Sequence, residues 1–113
     1  MIRAVFRRAQ STGNWISVSI NGHAGSGPAG SDIVCAAVSV LAENLEASLR
    51  YLLHMDESMR VQKGSGQHSI ELLSNVEDPG VQLLFASFDL GLQVLARQHP
   101  RKIVVDQYEK ESG

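Results

Sequence analysis

The spacing of apolar residues switches along this chain between a period of two and a period near 3.6, and this succession constrains the fold more than any other feature. Residues 2–6 and 15–20 alternate in apolar character and contain β-branched residues, which predicts two half-buried strands. Residues 10–14 between them, Gln-Ser-Thr-Gly-Asn, are turn-forming. We therefore expect the two strands to form a hairpin.

A helical period follows from residue 32 to about residue 54. One apolar stripe contains seven residues, which are Cys35, Val38, Leu41, Ala42, Leu45, Leu49 and Leu52. A polar stripe contains Ser39, Glu43, Glu46 and Arg50. Asp32 is a natural N-cap for this helix. The flank between the two stripes is also largely apolar, so we expect the helix to contact a dimer partner as well as the sheet.

The second half of the chain repeats the strand and helix patterns. Residues 58–63 and 68–74 predict two short strands, and the turn at 64–67, Gly-Ser-Gly-Gln, predicts a second hairpin. Asp78 followed by Pro79 is typical of the start of a helix, with the aspartate as the cap. The sequence Gln-His-Pro about 20 residues later predicts the end of that helix.

The last element predicted is a strand at residues 102–107, and we expect the tail from Glu109 to be frayed. The resulting order, β-β-α-β-β-α-β, predicts an α/β fold with a small mixed β-sheet and two helices. A chain of 113 residues has the usual length of one domain, so residues 1–113 are predicted to form a single domain.

Composition and charge exclude several classes of function. The formal net charge of -2 argues against nonspecific nucleic-acid binding, which requires a clustered basic surface. A single cysteine cannot form an internal disulfide, so the sequence gives no sign of an oxidising compartment. We find no signal-peptide pattern and no apolar run of membrane-span length. The expectations are a cytoplasmic protein with no membrane partner and no direct nucleic-acid partner.

A glycine-rich stretch lies between the second strand and the first helix. Residues 25–30, Gly-Ser-Gly-Pro-Ala-Gly, match the dinucleotide-binding pattern G-x-G-x-x-G. In that motif the helix begins within the glycines, whereas here Asp32 starts it after the third one. The acid at the appropriate distance, Glu46, would lie inside the helix instead of ending a second strand. The stretch also lacks the Gly-Lys-Ser/Thr ending of a phosphate loop, so nucleotide binding is disfavoured.

A second possibility is nucleophilic catalysis by Cys35. The first turn of a helix stabilises a thiolate, because backbone N–H groups there have no intrahelical partner. His23 follows directly after a strand end and could take the thiol proton. The structural alternative is a core cysteine, since Ile-Val-Cys-Ala-Ala-Val is an apolar context and cysteine is often buried. The spacing alone leaves both interpretations open.

A third possibility is that the glycines supply conformational freedom and nothing more. A catalytic lid and a flexible connector look alike at this level. One cysteine and one histidine do not make a zinc site, and the other histidines have no ligand spacing to them. We therefore expect no metal or cofactor. His54, His68 and His99 are predicted to be surface residues or residues at the ends of elements.

The residues around Cys35 resemble the signature of a known family. Gly22-His23-Ala24, then Gly30, then the run from Asp32 to Ser39, Asp-Ile-Val-Cys-Ala-Ala-Val-Ser, are similar to the motifs of the ribosomal-processing cysteine protease family, Prp. The resemblance extends over the whole chain in element order, and its specificity lies in residues 22–39.

This resemblance implies a cysteine endopeptidase without a cofactor, in which Cys35 is the nucleophile and His23 is the general base. It implies removal of an N-terminal extension from a large-subunit ribosomal protein precursor, with cleavage after a phenylalanine, by a homodimer. It also implies a mobile substrate loop at about residues 24–31. Gly25, Gly27 and Gly30 belong to that loop.

Two further residues fall on motif positions of the family. Asp32 could cap the helix or orient His23, and Ser39 lies one turn after Cys35, where it could hydrogen-bond near the sulfur or to the helix backbone. The alternative function is a non-enzymatic, ribosome-associated module that binds protein or RNA. That alternative predicts an unreactive Cys35.

Overall fold

The computed structural model describes residues 1–22 and 32–110. Its main elements are β1 (Ile2–Ala9), β2 (Trp15–Asn21), α1 (Asp32–Ala47), β3 (Met59–Gly64), β4 (Gln67–Leu72), α2 (Pro79–Gln98) and β5 (Ile103–Lys110). The predicted order β-β-α-β-β-α-β is confirmed. The last strand continues to Lys110, so the prediction of a frayed tail from Glu109 is wrong at its first two residues, which pair with β1.

The five strands form one mixed sheet with the order β3-β4-β2-β1-β5. β1 and β2 form the predicted hairpin, and β3 and β4 form the second one. β4 pairs antiparallel with β2, whereas β5 pairs parallel with β1, because the α2 crossover returns the chain to the far edge of the sheet. The two hairpins thus lie side by side, with the Gly64–Gln67 turn of the second beside the end of β2 in the first.

One face of the sheet carries the core. In β1 the side chains of Ile2, Ala4 and Phe6 are buried, while Arg3 and Arg7 on the other face are exposed. α1 and α2 both contribute buried side chains to the same core cluster. They also approach each other closely, since a methyl group on Gly91 would lie 3.2 Å from Leu41 Cδ1. The fold is therefore two-layered, with both helices on one face of the sheet.

The first helix is shorter than predicted. Its α-helical part ends at Ala47, and a wider π-helical turn, Ser48–Leu52, follows. This change of pitch rotates the last residues relative to the apolar stripe. As a result, Leu52, which was predicted to belong to the buried stripe, is 70% exposed.

The second helix begins as predicted. Asp78 caps it, because one carboxylate oxygen accepts hydrogen bonds from the N–H groups of Gly80 and Val81 at 2.7 and 3.2 Å. At the other end the N–H of His99 donates to the carbonyl of Leu95 at 2.8 Å. Pro79 occupies the first turn, where its missing N–H costs nothing.

By length and composition alone, α2 is apolar enough to cross a membrane. The expectation that the chain has no run of membrane-span length is wrong by this criterion. The core helix of a soluble protein meets the same criterion, and Val81, Phe85, Phe88 and Leu92 of α2 are buried in the core. The feature is weak evidence for a membrane because these side chains already have protein neighbours.

Candidate active site

A groove lies between α1 and the ends of the strands, with a cavity volume of about 200 Å³. Its helical wall is formed by Cys35, Val38, Ser39, Ala42 and Glu43. Its other wall is formed by the strand ends and the second hairpin, through Ile2, Ile20, Gly22, Lys63, Gly64, Gly66, Gln67 and His68. The bottom is apolar and the rim is polar, as is typical of a site that binds a ligand in one orientation.

Cys35 lies at one end of this groove. It is the fourth residue of α1, because the helix begins at Asp32. The sequence had predicted Asp32 as the cap, one position before the first helical residue. The thiol is half-buried and packs against the core cluster while lining the groove. This position combines access to solvent with proximity to the helix N-terminus, the setting in which reactive cysteines are found.

Several residues of the predicted site lie outside the described residues, namely His23, Gly25, Gly27, Gly30 and the rest of the predicted loop. The side chain of Asp32 is likewise not described. The backbone up to Gly22 is described, and Gly22, the chain neighbour of His23, lines the same groove as Cys35. The roles of His23 and Asp32 therefore stay predictions.

Gly22 needs its lack of a side chain. Its φ of 98° lies in the left-handed region, and its N–H donates to the carbonyl of Gly66 at 2.8 Å. A Cβ atom there would collide with the carbonyl oxygen of Met1. The glycine thus allows the end of β2 to lie close to both β1 and the second hairpin, where it lines the groove.

Ser39 lines the groove one turn after Cys35 and is exposed. Its position is compatible with contact to a bound ligand. The hydrogen bonds proposed for it, near the sulfur or to the helix backbone, stay predictions.

The far end of the groove contains a network of charged side chains that the sequence analysis missed. Glu46 is only 8% exposed. Its Oε1 lies 2.9 Å from His68 Nε2 and 3.1 Å from Lys63 Nζ, and its Oε2 lies 2.9 Å from a guanidinium nitrogen of Arg50. Arg50 also contacts Asp56. The network ties the last turn of α1 to the second hairpin and to the segment that follows the helix.

These contacts fix the charge of Glu46. Burial by itself raises the pKa of this carboxyl group, but hydrogen bonds from Arg50, Lys63 and His68 lower it more, so the pKa lies below the ordinary value of 4.5. The pKa values of Arg50 and Lys63 are raised, chiefly by their bonds to Glu46. Glu46 is therefore ionised and both basic groups are charged at neutral pH.

His68 lies near an element end, as predicted, but its side chain is not at the surface. His68 is the second residue of β4, but it points to the helical face beside Ile70 and is half-buried against Glu46. His54 is exposed and has a positive φ of 54°, and His99 follows the end of α2, so these two are as predicted. The available signal was the alternation of β4, which places residue 68 on the same face as residues 70 and 72.

Glu43, Glu46 and His68 each bring one potential ligand atom to within 4.8 Å of the others, a spacing that could hold a metal ion. The ammonium group of Lys63 already contacts both carboxylates, at 3.3 Å and 3.1 Å. An ammonium and a metal cation would compete for the same oxygens. We therefore assign the cluster to ion pairing.

A thiol in the first turn of a helix and at the end of a groove is an arrangement that fits the class of cysteine-dependent hydrolases. Residues 1–104 match the model of the family described as cysteine protease Prp. The chain belongs to this family, and it is a cysteine protease. No curated protein matches the chain.

Solved structures share the fold over nearly the whole chain. SMU.848 from Streptococcus mutans is 38% identical, with a TM-score of 0.79 over 97% of this chain and 96% of that one. The essential ribosomal processing protease Prp from S. aureus, in complex with a substrate peptide, is 20% identical, with a TM-score of 0.81 over 95% and 99%. The same protease with a covalently linked product peptide is 22% identical, with a TM-score of 0.79 over 95% and 99%.

Proposed function

We propose that this protein is an endopeptidase that removes the N-terminal extension of a large-subunit ribosomal protein precursor. The observation that carries the proposal is the position of Cys35, half-buried in the first turn of α1 and at the end of a groove. The family is that of the cysteine protease Prp, and the S. aureus Prp of the same fold is a ribosomal processing protease with a substrate peptide. The groove gives an extended peptide a place to lie beside the thiol.

In the proposed mechanism the Cys35 thiolate attacks the scissile carbonyl after its proton has passed to His23. The new C–S bond forms as the carbonyl π electrons move to oxygen, where backbone N–H groups of the first turn of α1 stabilise the negative charge. The intermediate then expels the amine, which receives a proton from His23. Water releases the acyl group and restores the thiol. The preference for phenylalanine before the scissile bond belongs to this proposal, with the apolar bottom of the groove as a suitable environment.

The decisive experiment is cleavage of the host's own precursor protein by the purified chain. We expect loss of the extension with wild type and no cleavage with Cys35→Ala. His54→Ala is the matched control for His23→Ala, since His54 is exposed and outside the groove. We expect His23→Ala to abolish cleavage and His54→Ala to retain it. Full cleavage by Cys35→Ala would contradict the mechanism.

Alkylation by iodoacetamide tests the thiol without a substrate. Because the chain has a single cysteine, the reaction reports Cys35 alone. We expect the reaction at pH 7 to be faster in wild type than in His23→Ala, and unchanged in His54→Ala. A slow reaction that does not depend on His23, even with an extension peptide present, would favour the non-enzymatic binding module.

We further propose a cytoplasmic homodimer without membrane or direct nucleic-acid partners. Both helices expose large apolar side chains, which are Ile33, Val40, Leu83, Leu90 and Val94. Sedimentation equilibrium tests the dimer: Leu90→Glu should give a monomer, whereas Leu73→Glu, at an exposed apolar residue outside the helices, should remain a dimer. A dimeric Leu90→Glu protein would place the interface elsewhere.

A further inference from the structure

The groove has a defined length and a different chemistry at each end. Cys35 and Glu43 lie on the same helical wall, eight residues apart, which corresponds to about 12 Å along α1. An extended peptide advances roughly 3.3 Å per residue, so this distance spans between three and four residues. Between the two positions the groove is lined by the apolar side chains of Val38, Ala42 and Ile20, with Ser39 as a polar residue on the helix.

The two glutamates at the far end differ in what they can still bind. Glu46 is buried and contacts Arg50, Lys63 and His68, so its oxygens are occupied. The side chain of Glu43 is 57% exposed, and both of its oxygens lie 3.3 Å from the same nitrogen, Lys63 Nζ. A carboxylate accepts up to about four hydrogen bonds, so Glu43 retains capacity on its solvent side.

At this end of the groove, carboxylates outnumber the permanent cations in the described network. Within residues 32–110, the network sets three carboxylates, Glu43, Glu46 and Asp56, against two permanent cations, Arg50 and Lys63. Of these three carboxylates, Glu43 is the one that lines the groove, and its side chain is 57% exposed. A cationic side chain would therefore be attracted to this end of the groove and an anionic one repelled.

We propose that Glu43 determines substrate specificity by pairing with a lysine or arginine side chain three or four residues from the scissile bond. This inference rests on the proposed endopeptidase function, because it places the peptide in the groove beside Cys35. Lys63 holds the Glu43 carboxylate at the rim, and the incoming cation binds its outer side. Glu43 acts on recognition and takes no part in the chemical step.

The test uses internally quenched peptides spanning the precursor's cleavage site. Each of the third and fourth positions on both sides of the scissile bond carries lysine, glutamine or glutamate in turn. For wild type we expect kcat/KM to be about two- to fivefold higher with lysine than with glutamine at one of these positions, the size expected for a partly exposed ion pair. The preference should vanish in Glu43→Gln and change to glutamate in Glu43→Lys.

The control is Glu77→Gln, which changes net charge equally at an exposed residue outside the groove. It should keep the preference for lysine. Cleavage of all peptides by wild type without a charge preference, or an unchanged preference in Glu43→Lys, overturns the role of Glu43 while leaving the protease function intact. Failure of wild type to cleave any peptide or the precursor overturns both. Circular dichroism melts of the variants separate these outcomes from misfolding, and the charge reversal in Glu43→Lys is a gain that misfolding cannot produce.

Discussion

Glu46 Oε1 lies 2.9 Å from His68 Nε2, and this contact joins the last turn of α1 to the start of β4. The same carboxylate contacts Lys63 on β3 and Arg50 in the π-helical turn. One buried charge therefore holds together the two walls of the groove and the end of the helix. Removing one partner of such a network leaves other polar groups without their bonds, which is costly in a buried setting.

We expect Glu46→Gln to lower the free energy of unfolding by about 1–3 kcal/mol, because Arg50, Lys63 and His68 lose a charged acceptor. Urea denaturation measures the change. Glu77→Gln, at an exposed site, should stay within about 0.5 kcal/mol of wild type. A double-mutant cycle with His68→Gln should show a coupling of about 1 kcal/mol. Additive effects of the two substitutions would show that the contact contributes nothing to stability.

The low pKa of Glu46 makes part of the stability dependent on pH. A carboxyl group whose pKa is lower in the folded than in the unfolded state stabilises the fold above the unfolded pKa. That contribution is fully present above the ordinary value of 4.5 and is lost as the pH falls through the lower, folded pKa. Melting temperatures of wild type should therefore fall more steeply below pH 4.5 than those of Glu46→Gln. Parallel curves for the two proteins would contradict the shift.

Gly22 and Gly13 give a matched pair of glycine substitutions. Both have a positive φ, 98° and 76°, so alanine is strained at each by about 1 kcal/mol. At Gly13 a Cβ would have its nearest neighbour, an Arg8 nitrogen, at 4.0 Å, whereas at Gly22 it would collide with the Met1 carbonyl oxygen. We expect Gly22→Ala to destabilise the protein by about 2 kcal/mol or more, and Gly13→Ala by about half as much. Thermal melts with equal losses for the two would contradict the close approach.

The sequence alone predicted the elements and the position of Cys35 in the first turn of α1. The alternation in β1 and β2 and the caps of α2 are local signals, which depend on neighbouring residues only. The Glu46–His68 contact joins residues that are 22 positions apart, and no local pattern encodes it. Helical spacing places Glu46 on the polar stripe of α1, but the residue is buried because Lys63 and His68 of the second hairpin cover it. The π-helical turn, Ser48–Leu52, was also missed, because the apolar spacing in this part of the chain continues that of an α-helix.

The groove can be blocked without disturbing the core. Ser39 is exposed, lines the groove and lies one turn from Cys35, so Ser39→Phe would place a ring where a substrate peptide is proposed to lie. We expect the KM for precursor peptides to rise about tenfold or more, with a melting temperature close to that of wild type. Iodoacetamide is small, so its reaction with Cys35 should persist. Ser74→Phe makes the same chemical change at an exposed site outside the groove and should leave KM unchanged. Unaltered KM in Ser39→Phe would mean that the peptide reaches Cys35 by another route, and the specificity role of Glu43 would then lose its geometric basis.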